Sequence, residues 1–210
     1  MGTNERKERE KAERKNSIIN AAKKLFLLNG FDNTTLMEIA KKSELAKGTL
    51  YLYFENKEDI YFAVIYRETS KIVNKIEEIS EQEMKGIDKL EEISRYIYEY
   101  YKKDPDILEA IWYADYIGTK ENITPYQNLT SQEDAKIFKL ISNILQTGIE
   151  DGSIKKDVNP IKTAIVITKI MMNMIGLLLD DQYEHTPLHK EMTVEEIYYS
   201  TFELIKNSLT

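Results

Sequence analysis

Cysteine is absent from this 210-residue chain, which excludes a disulfide framework and thiolate chemistry. Histidine is scarce. Only His185 and His189 could offer an imidazole to a metal or a general base. Their i, i+4 spacing would suit a metal on a helix, but they flank Pro187 in a stretch that reads as a surface loop. No metal or cofactor is expected. The longest apolar run, residues 164–179, is interrupted by Lys169 and Asn173 and falls short of the ~20 residues that span a bilayer; no membrane segment is expected. The N-terminal stretch from Asn4 to Asn16 alternates Glu with Lys and Arg and lacks the apolar centre of a signal peptide, so a cytoplasmic location is expected. Gly-rich phosphate loops, nucleophile elbows, internal repeats and alternating strand patterns are missing too.

What is present is apolar and charged in globular proportion, 42% and 31%, as in a folded soluble protein. The net charge of -7 is unevenly spread. Residues 1–60 carry 12 Lys+Arg against 10 Asp+Glu, net +2, and the other 150 carry 17 against 26, net -9. A mildly basic head on an acidic body points to two separate jobs.

Helical periodicity runs through nearly the whole chain. A first helix is expected from about Glu5 to Leu28, with Ile18, Ala21, Ala22, Leu25 and Phe26 as its apolar stripe and Gly30 as its stop. Thr35 and Glu38 form a capping box for a short helix to about Ser43. A third helix is expected over Lys47-Gly48-Thr49-Leu50-Tyr51-Leu52-Tyr53, and Asn56 with Asp59 caps a longer one. Further helices are expected over residues 87–103, from Pro105 to Ile117, from Ser131 to Asp151 with Gly152 closing it, over 160–179, and from Thr193 through Glu196 to Leu209. The fold class is all-α with about nine helices. The expected domains are 1–60 and 61–210.

The two short helices before the long one fit a helix-turn-helix, which needs an apolar-faced helix, a brief turn and a second helix with an apolar back. Leu36, Ile39 and Ala40 supply one face; Leu45, Leu50 and Phe54 supply the other. That leaves Lys47, Thr49, Tyr51 and Tyr53 outward, with Gly48 thin enough for close approach to a DNA groove. An αα-hairpin that merely packs is the plainer alternative on periodicity alone.

The pattern Ile19-x-Ala21-Ala22-x-x-Leu25-Phe26-x-x-x-Gly30-Phe31-x-x-Thr34-Thr35, then Ile39-Ala40 and Gly48-Thr49-Leu50-Tyr51-x-Tyr53-Phe54-x-Asn56-Lys57-Glu58, resembles the signature of TetR-family transcriptional regulators. The resemblance is specific over about residues 15–62. It implies an all-helical homodimer whose three N-terminal helices bind a double-stranded DNA operator, while the larger helical domain holds a small-molecule effector that releases it. It places Lys47, Gly48, Thr49 and Tyr51 where groove contacts are made, and Thr35, Tyr53 and Lys57 where backbone phosphates are held. Two positions depart from the pattern. Glu44 stands where the family commonly has glycine, which implies a positive φ without glycine's freedom. Ala46 replaces a common serine N-cap, a loss of roughly 1 kcal/mol.

The 160–179 stretch is apolar nearly all round, so it must be covered on more than one side. A dimer interface is expected there, with Ile167, Ile170, Met174 and Leu178 as one possible stripe and Phe202 from the last helix. The aromatic cluster of the middle helices carries more polar tips than a plain core wants. A ligand cavity lined by Tyr96, Tyr100, Trp112, Tyr113 and Tyr116, with Met171 and Met174 as pliable walls, is therefore expected. Its ligand is expected to be largely apolar or aromatic, carrying one polar or cationic group. The carboxylates Asp115 with Glu109, and Glu91 with Glu92, read as solvated helix faces rather than acid/base pairs. Residues 6–15 could be a basic arm, but interspersed glutamates favour a solvated helix extension. The chain is expected to be a DNA-binding regulator, a repressor, and not an enzyme. A helical protein–protein adaptor, or an enzyme with a helical substrate chamber, are the alternatives.

Overall fold

The computed structural model describes residues 3–117, 123–179 and 191–210. Among these, nine α-helices and one short 3-10 turn are formed and no strand occurs. They are α1 (Thr3–Asn29), α2 (Leu36–Lys42), α3 (Lys47–Leu50), α4 (Lys57–Ser80), α5 (Gly86–Lys103), α6 (Pro105–Ile117), α7 (Pro125–Asp151), α8 (Pro160–Ile175, continued by the 3-10 turn Gly176–Leu179) and α9 (Val194–Leu209). The segment holding His185 and His189 lies outside the described residues, as do the side chains of Asp115 and Tyr116.

The capping signals explain most boundaries. Thr35 accepts from the Glu38 N–H at 3.2 Å while Glu38 Oε2 accepts from the Thr35 N–H at 2.8 Å, and Thr193 and Glu196 repeat the same box at α9. Asn159 accepts from the Lys162 N–H ahead of Pro160, the favoured arrangement of a capping side chain followed by proline at the first helical position. Gly30 and Gly152 sit at φ +75° and +79° and end α1 and α7.

The start of α7 differs from expectation. α7 starts at Pro125, a turn and a half before Ser131. The Gln127 N–H donates to Thr124 Oγ1 and the Thr124 N–H donates to Gln127 Oε1, a capping box with proline between.

The chain packs into two compact units. One comprises Met1–Thr69 with Ala110–Gln132, the other Ser70–Glu109 with Glu133–Thr210. In the first, Ile18, Ala22, Phe26, Ile39, Leu50, Phe54 and the run Ile60–Ile65 are buried around one core, with Ala110, Ala114 and Ile117 of α6. Phe26, Phe31, Tyr61 and Tyr113 form an aromatic group in which Tyr61 meets Phe26 and Phe31 edge to face, and the Tyr61 hydroxyl donates to Ala110 O at 2.8 Å.

In the second unit, Ile72, Val73, Ile76 and Ile79 of α4, Leu90, Ile93, Tyr98 and Tyr101 of α5, and Ile144 and Leu145 of α7 are buried together with one side of α8 and α9. The start of α5 meets α7 backbone to backbone, and its Gly86 N–H donates to Asp151 Oδ2 at 2.7 Å.

The segment Pro160–Leu179 has 20 residues and a mean hydropathy of 1.6, so by length and composition it could cross a membrane. The run 164–179 by itself falls short of that length, and residues 160–163 of the same helix extend it. Lys162, Lys169 and Asn173 lie on its exposed side, where charged groups in lipid would be costly.

Candidate nucleic-acid interface

The head is organised by the turn between α2 and α3. The Leu45 N–H donates to Ala40 O at 2.9 Å and the Glu44 N–H to Lys41 O at 3.2 Å. This pair of bonds is the Schellman ending of a helix, which puts one residue in the left-handed region. That residue is Glu44, at φ +58°, the one non-glycine residue with positive φ among those described. Ser43 is buried beside it and donates to Ile39 O at 2.8 Å. Replacing Glu44 by glycine is expected to stabilise the protein by about 1 kcal/mol, the strain of a left-handed non-glycine residue less glycine's entropy cost. Thermal unfolding without DNA should then shift up by roughly 2–4 °C. A lower midpoint would mean that the Glu44 side chain does something at this turn that offsets the strain.

α3 starts at Ala46 without a side-chain cap. It is shorter than the seven residues expected, Lys47 to Tyr53: helix covers Lys47–Leu50, and the Leu52 and Tyr53 N–H groups continue as tight turns donating to Thr49 O and Leu50 O. The aromatic and hydroxyl residues that follow Leu50 are weak helix formers, and Phe54 must reach the core. Leu50 and Phe54 are buried at 1% and 3% exposure, and Lys47, Gly48, Tyr51 and Leu52 are exposed on the other side. Thr49 and Tyr53 are half-buried. Lys47 with Tyr51, and Gly48 with Leu52, are each four residues apart and so lie one above the other.

A Cβ at Gly48 would meet no atom of the protein. Packing therefore does not require glycine there, although glycine in a helix costs about 1 kcal/mol. A thin spot on the outer side is what remains to explain it. Leu52, 76% exposed, and Met37 on α2, 62% exposed, were not singled out from the sequence. Apolar residues so exposed, Leu52 next to Tyr51 in the chain among them, suit contact with thymine methyl groups.

Two of the expected phosphate-holding residues, Thr35 and Lys57, have internal bonds of their own. Thr35 gives its N–H and hydroxyl to Glu38, whose carboxyl is thereby held below the usual carboxylate range, first by the side-chain and then by the backbone bond. Lys57 Nζ donates to Phe31 O at 2.9 Å and Thr34 O at 3.1 Å and sits 4.1 Å from the Phe31 ring centre. It pins the α1–α2 turn to the start of α4. Of the three N–H donors of an ammonium, two go to these carbonyls. Asp59, at 2% exposure, accepts from the Glu55 and Tyr126 N–H groups and ties the same corner to α7.

The expected effector residues are distributed over both units. Tyr96 and Tyr100 lie in the second, with ring centres 6.0 Å apart. Met171 is buried and Met174 half-buried there. Trp112 and Tyr113 belong to the first unit. Trp112 is 42% exposed, while Tyr113 packs on Phe31 and donates to Asp32 at 2.8 Å.

The second unit also holds a tyrosine pair the sequence did not reveal. Tyr98 and Tyr198 lie with rings 4.8 Å apart, and the Tyr198 hydroxyl donates to Ser94 O. Burial, above all, pushes the phenols of Tyr101 and Tyr198 well above their ordinary value.

Of the residues expected at a partner face, Ile167 and Phe202 are buried within the chain, at 8% and 4% exposure. Met174 and Leu178 are half-buried, and Ile170 is 38% exposed. The apolar side chains left open are Ile161, Ile165, Val166 and Ile170 of α8, with Leu204 of α9. Among the described residues, no His, Asp or Glu cluster is placed to hold a metal.

A family model for "Bacterial regulatory proteins, tetR family" matches residues 18–64. The HTH-type transcriptional regulator YhgD of Bacillus subtilis is 28% identical over 179 residues, 85% of this chain and 90% of the relative. The regulator QacR of Staphylococcus aureus is 44% identical over 57 residues, 27% of this chain and 30% of its own. The crystal structure of the transcriptional regulator FadR from Bacillus subtilis in complex with stearoyl-CoA matches the fold with a TM-score of 0.70 at 20% identity, covering 90% of this chain and 96% of that one.

Proposed function

The chain belongs to the TetR family of bacterial regulatory proteins and is a helix-turn-helix transcriptional regulator, and from that premise we propose how it reads DNA and what controls it. Residues 1–60 act as the reading part, and 61–210 bind an effector and a second copy of the chain. Lys47, Gly48, Thr49 and Tyr51, joined by Leu52, enter the major groove. Thr35, Tyr53 and Lys57 face backbone phosphates, with Thr35 and Lys57 sharing donors already used inside the head. The single observation that carries this reading is the outer side of α3: a lysine, a bare glycine, a tyrosine and a leucine stand exposed over the buried Leu50 and Phe54.

The protein acts as a cytoplasmic repressor that binds a palindromic operator as a homodimer. Ile161, Ile165, Val166 and Ile170 with Leu204 are the apolar surface a second copy covers, because each head reads one half-site and two must be held a helical turn apart. The effector is small and largely apolar or aromatic. The binding of stearoyl-CoA by a protein of the same fold supports an apolar class. To act as an inducer it must bind the DNA-incompetent form more tightly, since equal affinity for both forms shifts nothing.

The test is base preference on a genomic fragment selected for binding. Lys47→Ala and Tyr51→Ala should each lose about 1–3 kcal/mol against the selected sequence and discriminate less at one base pair. Variants that weaken binding to selected and scrambled duplexes equally would show that α3 does not read bases.

A further inference from the structure

α1 is longer than its packing needs. Its buried residues begin at Ile18, and the turns before it, from Asn4 to Ser17, are exposed or partly exposed and helical throughout. The charges on this extension are sorted by face. Arg6 pairs with Glu10 and Arg9 with Glu13, so one side neutralises itself. Lys7, Lys11, Arg14 and Lys15 fall within roughly 100° of arc on the other side, bordered by Glu8.

Lys7, Lys11 and Arg14 are exposed and form no ion pair among the described residues. Like charges at i, i+3 and i, i+4 repel along a helix, so this face is held at a small cost that a polyanion would relieve. Its inner end adjoins the reading helix. Lys15 Nζ stands 5.8 Å from the Phe54 ring centre, just past α3, and 4.8 Å from that of Tyr126.

We propose that Lys7, Lys11 and Arg14 form a phosphate-binding arm that continues the DNA contact of the head onto the duplex beside each half-site. The three cations span roughly 10 Å of helix axis. They are sequence-blind, since phosphate contacts position a protein without specifying bases. The arm thus adds affinity and salt dependence, and leaves the choice of operator to α3. The proposal rests on the DNA-binding reading of that helix, and its test separates the two.

The test compares full-length proteins on a mixed-sequence duplex across a salt series. Each phosphate neutralised contributes about 0.9 to the slope of log K against log salt. The triple variant Lys7→Gln/Lys11→Gln/Arg14→Gln should lower that slope by about 2–3. The double variant Arg6→Gln/Arg9→Gln, which removes internally paired cations, should lower it by less than about one. Glutamine is close to lysine and arginine as a helix former. A second measurement needs no variant to fold: wild-type affinity should rise as the flanking duplex is lengthened beyond the half-sites. An unchanged slope in the triple variant, equal losses in both variants, or indifference to flank length would overturn the arm while the reading of α3 stands. A wild-type protein that binds no duplex at all would overturn both.

Discussion

Gly86→Ala is expected to be among the most damaging single substitutions in the second unit. A Cβ on Gly86 would lie 2.4 Å from Gly148 Cα and N and 2.7 Å from Ile144 O. These are backbone atoms of α7 and cannot turn aside as a side chain can. The start of α5 is also fixed by the Gly86 N–H on Asp151 and the Ile87 N–H on Ser153 Oγ. Forcing the helices apart thus strains both hydrogen bonds along with the packing. Overpacking of this kind costs about 3 kcal/mol, which should lower the melting midpoint by roughly 6–12 °C.

Gly148→Ala gives an internal comparison. Its Cβ would meet Cδ1 and Cγ1 of Ile154, at 2.5 and 2.7 Å. A side chain can rotate away, so the loss should be smaller, about 1–2 kcal/mol. Equal effects at the two positions, or a Gly86→Ala protein as stable as the parent, would show that α5 and α7 do not press backbone to backbone.

That contact also marks a limit of sequence reading. Gly86 and Gly148 are ordinary single glycines in the chain, and only their meeting across α5 and α7 gives them meaning. The head was far more legible. Its capping box at Thr35, the stop at Gly30 and the strained Glu44 are local devices whose residues lie within a few positions of one another. The start of α7 was legible in principle, because Thr124-Pro125-x-Gln127 is a capping signal, but Ser131 with Asp134 offered a competing one. The outer end of α3 departs from its sequence pattern because Tyr51, Leu52 and Tyr53 continue the apolar spacing of a helix while the backbone tightens into turns to seat Phe54.

The surfaces of the second unit were the least legible. Apolar residues fill nearly every side of α8, so periodicity could not tell the buried Ile167 from the exposed Val166. Tyr98 and Tyr198 are 100 positions apart, and nothing local announces that they pair.

The second large effect concerns this α8 surface. Val166 and Ile170 are 54% and 38% exposed, so a charge at either leaves the single chain's core untouched. In a dimer formed through this face, Val166→Glu or Ile170→Glu would bury an unpaired carboxylate, a loss of several kcal/mol. The variants should keep the parent's helicity, sediment as monomers at micromolar concentration, and bind selected DNA on the order of a hundredfold more weakly, as expected when two half-sites are no longer read together. Variants that remain dimeric would move the partner surface elsewhere.

The wild-type protein provides the most direct measurement. Footprinting on a genomic fragment selected for binding should show two protected half-sites related by a palindrome and centred one helical turn, about 34–36 Å, or a multiple of it apart. Protection at a single unsymmetrical site, or uniform protection that follows salt but not sequence, would contradict a dimeric reader of operator DNA.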